Sequence, residues 1–308
     1  MIPPVARIPV IAVVGPTAAG KSDLGIALAR ELGGEVINAD SMQLYRGMDI
    51  GTAKLSETER EGVPHHLLDI WDVTERAAVA EYQRLARAQA DALLAEGRVP
   101  VLVGGSGLYV DAVLGGFEFP GTDPVLRAKL EGRLEAEGSA VLHAELAALD
   151  PRSAAAILAS NGRRIVRALE VVQLTGAPFQ ASLPEAGDHY PGTVRVGLGV
   201  EKAELDERIT RRVDIMWEKG LVDEVLGLIP RGLREGETAS RALGYQQVLD
   251  FLDGHCTEQE ARDQTALRTR QFARRQEKWF RRAEGTVWLA RDRSDLVAAA
   301  KRAVSAAA

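Results

Sequence analysis

Ile8–Leu28 reads IPVIAVVGPTAAGKSDLGIAL, and the order of its parts decides the fold. An apolar run, Val10–Val14, meets Gly15-Pro16-Thr17-Ala18-Ala19-Gly20-Lys21-Ser22, and an amphipathic stretch follows. This is G-x-x-x-x-G-K-[ST] with a strand before it and a helix after it, the context in which the pattern forms a phosphate-binding loop, or P-loop. The glycines let backbone N–H groups converge on phosphate oxygens, and the helix N-terminus adds partial positive charge. Lys21 brings a full charge to the outer phosphate, and the Ser22 hydroxyl is suited to ligate Mg²⁺. A glycine-rich turn with a stray lysine is the structural alternative, but it leaves the flanking strand and helix unexplained. The loop binds a phosphorylated ligand, and whether that ligand is a nucleotide stays open.

Outward from the loop the chain alternates as α/β units do. A helix is expected over Lys21–Leu32 and a short strand over Glu35–Ala39, ending at Asp40. Gly47–Pro64 reads as a long loop, Leu67–Ile70 as a further short strand, and Val79–Glu96 as a helix. Val99–Val103 (VPVLV) is a buried strand stopping at Gly104-Gly105. Apolar strands separated by helices imply a parallel sheet covered on both faces. Ligands then sit at the carboxyl ends of the strands, where the P-loop, Asp40 and Gly104–Ser106 all fall.

Between Pro120 and Pro191 helical patterns follow one another without a strand: Pro124–Glu137, Ala140–Leu149 and Asn161–Thr175. Asp150-Pro151 and Gly176-Ala177-Pro178 punctuate them, and Phe119-Pro120-Gly121 and Tyr190-Pro191-Gly192 bracket the block. The expected organisation is an α/β core over 1–119, an inserted all-helical subdomain over 120–191, and the continued core over 192–308. The continuation holds a strand at Val194–Val200 and helices at Glu204–Lys219 (capped by Gly220), Val222–Leu228, Tyr245–Leu252 and Glu258–Arg282. An edge strand at Thr286–Leu289 and a helix over Asp295–Ala307 close it.

With 308 residues, 46% apolar and 27% charged, the composition is that of a globular protein, and the length suits two domains or one with an insertion. No apolar run approaches the roughly 20 residues of a membrane span, and MIPPVARIPV carries no export signal, so a cytoplasmic location and no membrane partner are expected. The single cysteine, Cys256, rules out an internal disulfide and a cysteine-based zinc site. A net charge of −6 speaks weakly against nucleic acid. Against it, Arg262–Arg282 (RDQTALRTRQFARRQEKWFRR) holds seven arginines and one lysine against two acids. That run is a candidate footprint for a phosphate backbone, or else a solvated helix face.

Several residues in the crevice carry chemistry. P-loop hydrolases hold Mg²⁺ with an Asp closing an apolar strand, yet VPVLV ends in Gly-Gly-Ser with no acid. The acid that does close a strand is Asp40, suited to help hold a metal, to take a proton from a nucleophile, or only to cap the next turn. Gly104-Gly105-Ser106-Gly107 offers backbone and a hydroxyl to an anion, although two glycines after a strand commonly form a mere turn. Arg241, in Arg-Ala-Leu-Gly-Tyr, is able to clamp a departing phosphate bidentately. His65 and His66 are adjacent, with no third ligand at metal spacing, and read as structural. In the basic helix Phe272, Trp279 and Phe280 interleave with arginines, as unstacked RNA bases require, but Phe272 and Trp279 are seven apart and fit a core face better.

Together these motifs, with Gly51-Thr52-Ala53-Lys54, Pro64-His65-His66-Leu67 and Arg163-Arg164-Ile165-Val166-Arg167-Ala168-Leu169-Glu170, stand in an order that resembles the bacterial tRNA dimethylallyltransferases, also called tRNA isopentenyltransferases. The resemblance runs from about Val10 to Leu289. It implies a P-loop-type α/β core with an inserted helical domain, and transfer of a dimethylallyl group from dimethylallyl diphosphate to the exocyclic amine of the adenosine 3′ to the anticodon. The P-loop then grips the diphosphate of the prenyl donor, which fits the missing strand-end acid. The same resemblance implies Asp40 as general base, Lys21, Ser22 with Mg²⁺ and Arg241 as a pyrophosphate clamp, and Ser106, commonly threonine in the family, bonding the bridging oxygen. The segments it implies for tRNA are Asp40-Ser41-Met42-Gln43, Arg163–Arg167, Arg241-Ala242-Leu243-Gly244-Tyr245-Gln246 and Arg274-Arg275-Gln276-Glu277-Lys278-Trp279-Phe280-Arg281, with Ser106 and, in the insertion, Arg127. The partners are the anticodon stem-loop and dimethylallyl diphosphate, and the chain is expected to act as a monomer. Alternatives are prenylation of free AMP, ADP or ATP, a P-loop small-molecule kinase, and a non-catalytic RNA-binding module; the inserted block and basic helix favour a macromolecular acceptor.

Overall fold

The computed structural model describes residues 8–116, 119–179 and 188–307. Its centre is β1 (Ile11–Val14), whose four residues are fully buried because they alternate between two apolar layers. Ile11 and Val13 pack with α1 (Lys21–Leu32), while Ala12 and Val14 pack into the opposite layer, as the period of two dictates. Beyond α1, whose left-handed Gly33 N–H bonds the Ala29 carbonyl, the chain forms β2 (Gly34–Asn38), β3 (His65–His66), α2 (Val79–Ala95), β4 (Val99–Gly104) and α3 (Gly107–Leu114). After the insertion come β5 (Val194–Gly199), α8 (Lys202–Glu218), α9 (Leu221–Leu228), α10 (Tyr245–Leu252), α11 (Glu258–Phe280), β6 (Val287–Ala290) and α12 (Leu296–Ala307). The six strands pair in parallel in the order β3-β2-β4-β1-β5-β6. Val14 is in register with Gly104 on one side and Gly197 on the other, so the carboxyl ends line up beside the P-loop.

Two compact units make up the chain, one of Met1–Leu114 with Asp188–Ala308 and one of Gly115–Gly187. The second holds α4 (Pro124–Glu137), α5 (Ser139–Leu149), α6 (Pro151–Ala156) and α7 (Gly162–Thr175). Its own apolar cluster of Leu130, Leu142, Leu146, Ile165, Val166 and Leu169 is shared by these helices. Burying one such side chain contributes roughly 1.5–3 kcal/mol, enough for a small separate core. Tyr190, expected in a bracketing turn, belongs to the first unit, where its hydroxyl donates to the Asp91 carboxylate on α2 at 3.0 Å.

Some elements differ from those expected. The strand near residue 67 is His65–His66, because Leu67 and Asp69 sit at φ 59° and 57°, left-handed values that extended backbone cannot take. His66 Nε2 lies against the buried Glu35 carboxylate at 2.5 Å, which accounts for it structurally. Helix α3 carries apolar residues on nearly every face, so it lacks an amphipathic period to betray it. Helix α6 starts at the Asp-Pro pair read as punctuation: the Asp150 carboxylate accepts from Ser153 N at 3.1 Å, with Pro151 at the first helical position. Gly220, at φ 93°, stands one residue beyond the C-cap Lys219 of α8 and caps the start of α9.

Candidate active site

The P-loop connects the buried end of β1 to the N-terminus of α1, and Gly20 takes φ 91° there, in the region that favours glycine. Lys21 Nζ donates to the Pro16 carbonyl at 2.7 Å, so the lysine folds back over the loop that precedes it. Burial lowers its pKa to about 8, helped by the nearby Arg212 and opposed by Asp40. Lys21 thus keeps its charge at neutral pH but starts to lose it above pH 8, where an arriving polyanion holds that charge in place.

Two arginines from α8 reach the loop. Arg208 Nε donates to the Ala18 carbonyl at 2.8 Å, and Arg212 donates to the Thr17 hydroxyl at 3.2 Å. They are four apart and share one helix face. Burial lowers the Arg212 pKa, Arg208 adds to this, and Asp23 and Asp40 act against it. Cations this poorly hydrated interact strongly with a bound anion. Arg241, expected to clamp the diphosphate, is instead exposed at the end of a 3-10 turn (Ala239–Arg241), and among the described residues no hydrogen bond or ion pair links it to the P-loop.

Asp40 follows β2 directly. Asn38, nearly fully buried, receives Asp40 N on its Oδ1 at 2.9 Å and donates from Nδ2 to the carbonyls of Asp40 and Leu67 at 3.0 Å each. The carboxylate accepts from Met42 N at 3.0 Å and from the Gln43 backbone, so Asp40 caps the turn that follows it. Burial pushes the carboxyl above its usual range, against the pull of the Met42 N–H, Lys21 and Arg212. A carboxylate so placed is a better proton acceptor than one in water. Ser106, after β4, accepts from Ser41 N at 3.2 Å, and its hydroxyl lies 3.3 Å from that of Ser41. The P-loop, Asp40 and Ser106 therefore gather at one end of the sheet, bonded or electrostatically coupled through Asp40-Ser41.

The two glycines after β4 are there for close approach. A Cβ on Gly104 would stand 2.2 Å from the Ala39 carbonyl oxygen, and one on Gly105 2.2 Å from Gln276 Nε2. The segment after Asp40 is also pinned from afar. The Glu224 carboxylate accepts from Asp49 N, Ile50 N and Gly51 N at 3.0, 2.7 and 3.2 Å and from the Tyr245 hydroxyl. Gln43 Nε2 donates to the Thr52 carbonyl of that loop at 3.1 Å. Asn38, Arg208, Arg212 and Glu224 carry no local motif; the i, i+4 spacing of Arg208 and Arg212 is the one signal that sequence offered.

The segments expected to meet RNA divide sharply by burial. Ile165 and Val166 lie in the core of the second unit, and Ala242, Gly244, Tyr245, Gln276 and Phe280 are buried in the first. Trp279 is half-buried, with its indole N–H on the Asp111 carboxylate at 2.7 Å, in line with the core face favoured for it. Arg127 and Arg167 both pair with Glu170, which is 0% exposed, and Arg167 also donates to the carbonyls of Pro120 and Gly121. Their first task is to neutralise that carboxylate. Ser41, Met42, Gln43, Leu243, Gln246 and Glu277 are half-exposed, while Arg163, Arg164, Arg241, Arg274, Arg275, Lys278 and Arg281 are exposed. Arg275 lies 5.8 Å over Phe272, Arg281 lies 3.9 Å over Trp288, and Arg274 reaches Asp206 at 3.4 Å.

A P-loop bonded by two arginines, with a strand-end carboxylate at the same end of the sheet, is the kind of site an enzyme acting on phosphate groups carries. The IPP transferase family model matches residues 43–283, and the chain belongs to that family. It is 66% identical over 299 residues to a tRNA dimethylallyltransferase of Streptomyces griseus, covering 96% of each chain, and 66% identical to that of Salinispora arenicola, covering 97% of this chain and 87% of the relative. Among solved structures it resembles the full-length tRNA isopentenylpyrophosphate transferase of Bacillus halodurans, with a TM-score of 0.72, 40% identity, and 98% and 97% of the two chains covered. A eukaryotic dimethylallyltransferase acting on tRNA matches with a TM-score of 0.80, 28% identity, and coverage of 96% of this chain and 77% of the other.

Proposed function

We infer that this protein is a tRNA dimethylallyltransferase that moves the dimethylallyl group of dimethylallyl diphosphate to the exocyclic amine of the adenosine 3′ to the anticodon. The observation that carries the chemistry is the half-buried Asp40 carboxylate, electrostatically coupled to Lys21 and Arg212 of the phosphate site. The amine nitrogen attacks the first carbon of the prenyl group, an N–C bond forms, and the C–O bond to the diphosphate breaks. One amine proton passes to Asp40, and pyrophosphate leaves with the electron pair. Lys21, Arg212 and the N–H groups at the start of α1 hold that leaving group, where charge grows in the transition state. In this reading the Ser106 hydroxyl, whose contacts with Ser41 hold it beside Asp40, donates to the bridging oxygen.

Mg²⁺ fits the donors present: the Ser22 hydroxyl, in the first turn of α1 beside the loop, would hold the ion together with the bound diphosphate, since among the described residues no cluster of carboxylates or histidines offers a cage. When bound it offsets charge on the departing pyrophosphate. The exposed cations of α11 and of Arg163-Arg164 supply contacts to RNA phosphates. No helix among the described residues is long and apolar enough to cross a membrane; the tRNA dimethylallyltransferase relatives support a reaction in the cytoplasm. Asp40→Ala is expected to lower single-turnover prenylation by about a hundredfold or more, the scale of a general base, with stem-loop affinity kept within about twofold. Near-normal transfer by that variant would remove Asp40 from its role.

A further inference from the structure

Helix α11 exposes Arg274 and Arg275, yet Gln276 in the same turn points the other way. Gln276 is 4% exposed. Its Oε1 accepts from Thr17 N at 2.8 Å, and its Nε2 donates to the Gly105 carbonyl at 2.9 Å. One carboxamide thus joins the P-loop to the turn that carries Ser106. Those two segments follow neighbouring strands, β1 and β4, just beyond the Val14–Gly104 pair that ends their ladder. The bridge asks for a donor and an acceptor on one short neutral group, which a carboxamide offers. Both sides are built for it: Gly105 has no Cβ because one would collide with Nε2, and Thr17 is also held through its hydroxyl by Arg212.

We propose that Gln276 is a positioning residue of the diphosphate site, setting the P-loop against the Ser106 turn, and that it makes no contact with RNA although its helix neighbours do. This rests on the functional reading above. By anchoring Thr17 N, the carboxamide fixes the orientation of the peptide that opens the loop, and with it the direction of the N–H groups that follow. The Gly105 bond fixes the distance from that cradle to the Ser106 hydroxyl. Losing both bonds leaves a buried N–H and a buried carbonyl unpaired, a disturbance centred on the phosphate cradle and not on the outer face of α11.

The test separates the two ligands. Gln276→Met keeps the bulk of the side chain and removes both bonds; Gln276→Glu keeps the acceptor for Thr17 N but sets a carboxylate oxygen against the Gly105 carbonyl. For each, the affinity for inorganic pyrophosphate with Mg²⁺ and the affinity for an anticodon stem-loop are measured on the full chain, alongside a thermal melt. The expected result is a pyrophosphate affinity weaker by about tenfold or more in Gln276→Met, a loss at least as large in Gln276→Glu, whose buried negative charge also opposes the bound anion, and stem-loop affinity within about twofold of the parent in both. The KM for dimethylallyl diphosphate rises in the same order. Weaker stem-loop binding with pyrophosphate affinity intact would overturn the proposal, as would two folded variants unchanged toward pyrophosphate. A parent protein that binds pyrophosphate but prenylates no RNA contradicts the functional reading and leaves this inference standing.

Discussion

Helices α8 and α11 pack against each other and both carry arginines, but they use them in opposite ways. On α8, Arg208 and Arg212 turn inward, bond the P-loop and lose hydration, in a helix whose acids roughly balance its bases. On α11, Arg274 and Arg275 stay in water, where Asp206 and the Phe272 ring are their neighbours, and the inward-facing residue is a neutral glutamine. The lesson is that the density of charge along a helix does not tell which charge works on the ligand. A desolvated guanidinium acts at short range and high strength, whereas a solvated one is screened within about 10 Å at 0.1 M salt.

If that contrast holds, Arg212→Ala gives the largest effect: kcat/KM for the prenyl donor falls by about a hundred- to a thousandfold, the scale of a lost transition-state contact, while stem-loop affinity stays within about twofold. A loss confined to RNA binding would break the comparison. Joint replacement of Arg274 and Arg275 by Ala does the reverse. Stem-loop affinity is expected to drop by about tenfold at low salt, and the slope of log K against log salt to shallow by about 1.4, with the KM for dimethylallyl diphosphate unmoved. An unchanged slope would make α11 structural alone.

The smallest effect near neutral pH is the pH dependence itself. Lys21 has a lowered pKa of about 8 in the free protein, and a bound diphosphate favours its charged form. Below pH 8 the lysine is already protonated and pyrophosphate affinity is flat with respect to this group. Above pH 8 binding must take up a proton, so affinity falls by up to about tenfold per pH unit until the pKa of the complex is reached. Titration calorimetry from pH 7 to 9.5 in two buffers of different ionisation enthalpy shows that uptake, and a flat profile would sink it. For the fold the sign is the opposite: with a folded pKa below the unfolded one, Lys21 costs stability in full below pH 8, and the cost fades as pH rises toward 10.5.

What sequence made legible followed the distance along the chain over which each contact acts. The P-loop, the buried strands and Asp40 after β2 depend on neighbours a few residues away, and they stand where their patterns put them. Gln276 meets Thr17 across 259 residues, Arg212 meets Thr17 across 195, and Glu224 holds Asp49 across 175. No local rule encodes such pairs, so the basic run drew notice for its arginines while its buried glutamine passed as one more RNA contact. Arg127 meets Glu170 across 43 residues and is another such pair, whereas Arg167 meets it three residues along α7, within reach of a local rule.

The central claim, that this P-loop holds a leaving pyrophosphate for a prenyl transfer to RNA, is tested most directly by offering both acceptors to one enzyme sample. Labelled dimethylallyl diphosphate and Mg²⁺ are incubated with an unmodified anticodon stem-loop, and separately with AMP and with ATP. Label on the exocyclic amine of the adenosine 3′ to the anticodon, with one pyrophosphate released per transfer and none on the free nucleotides, is the predicted result. Transfer to AMP in preference to the stem-loop, or release of pyrophosphate with no labelled RNA, would contradict it.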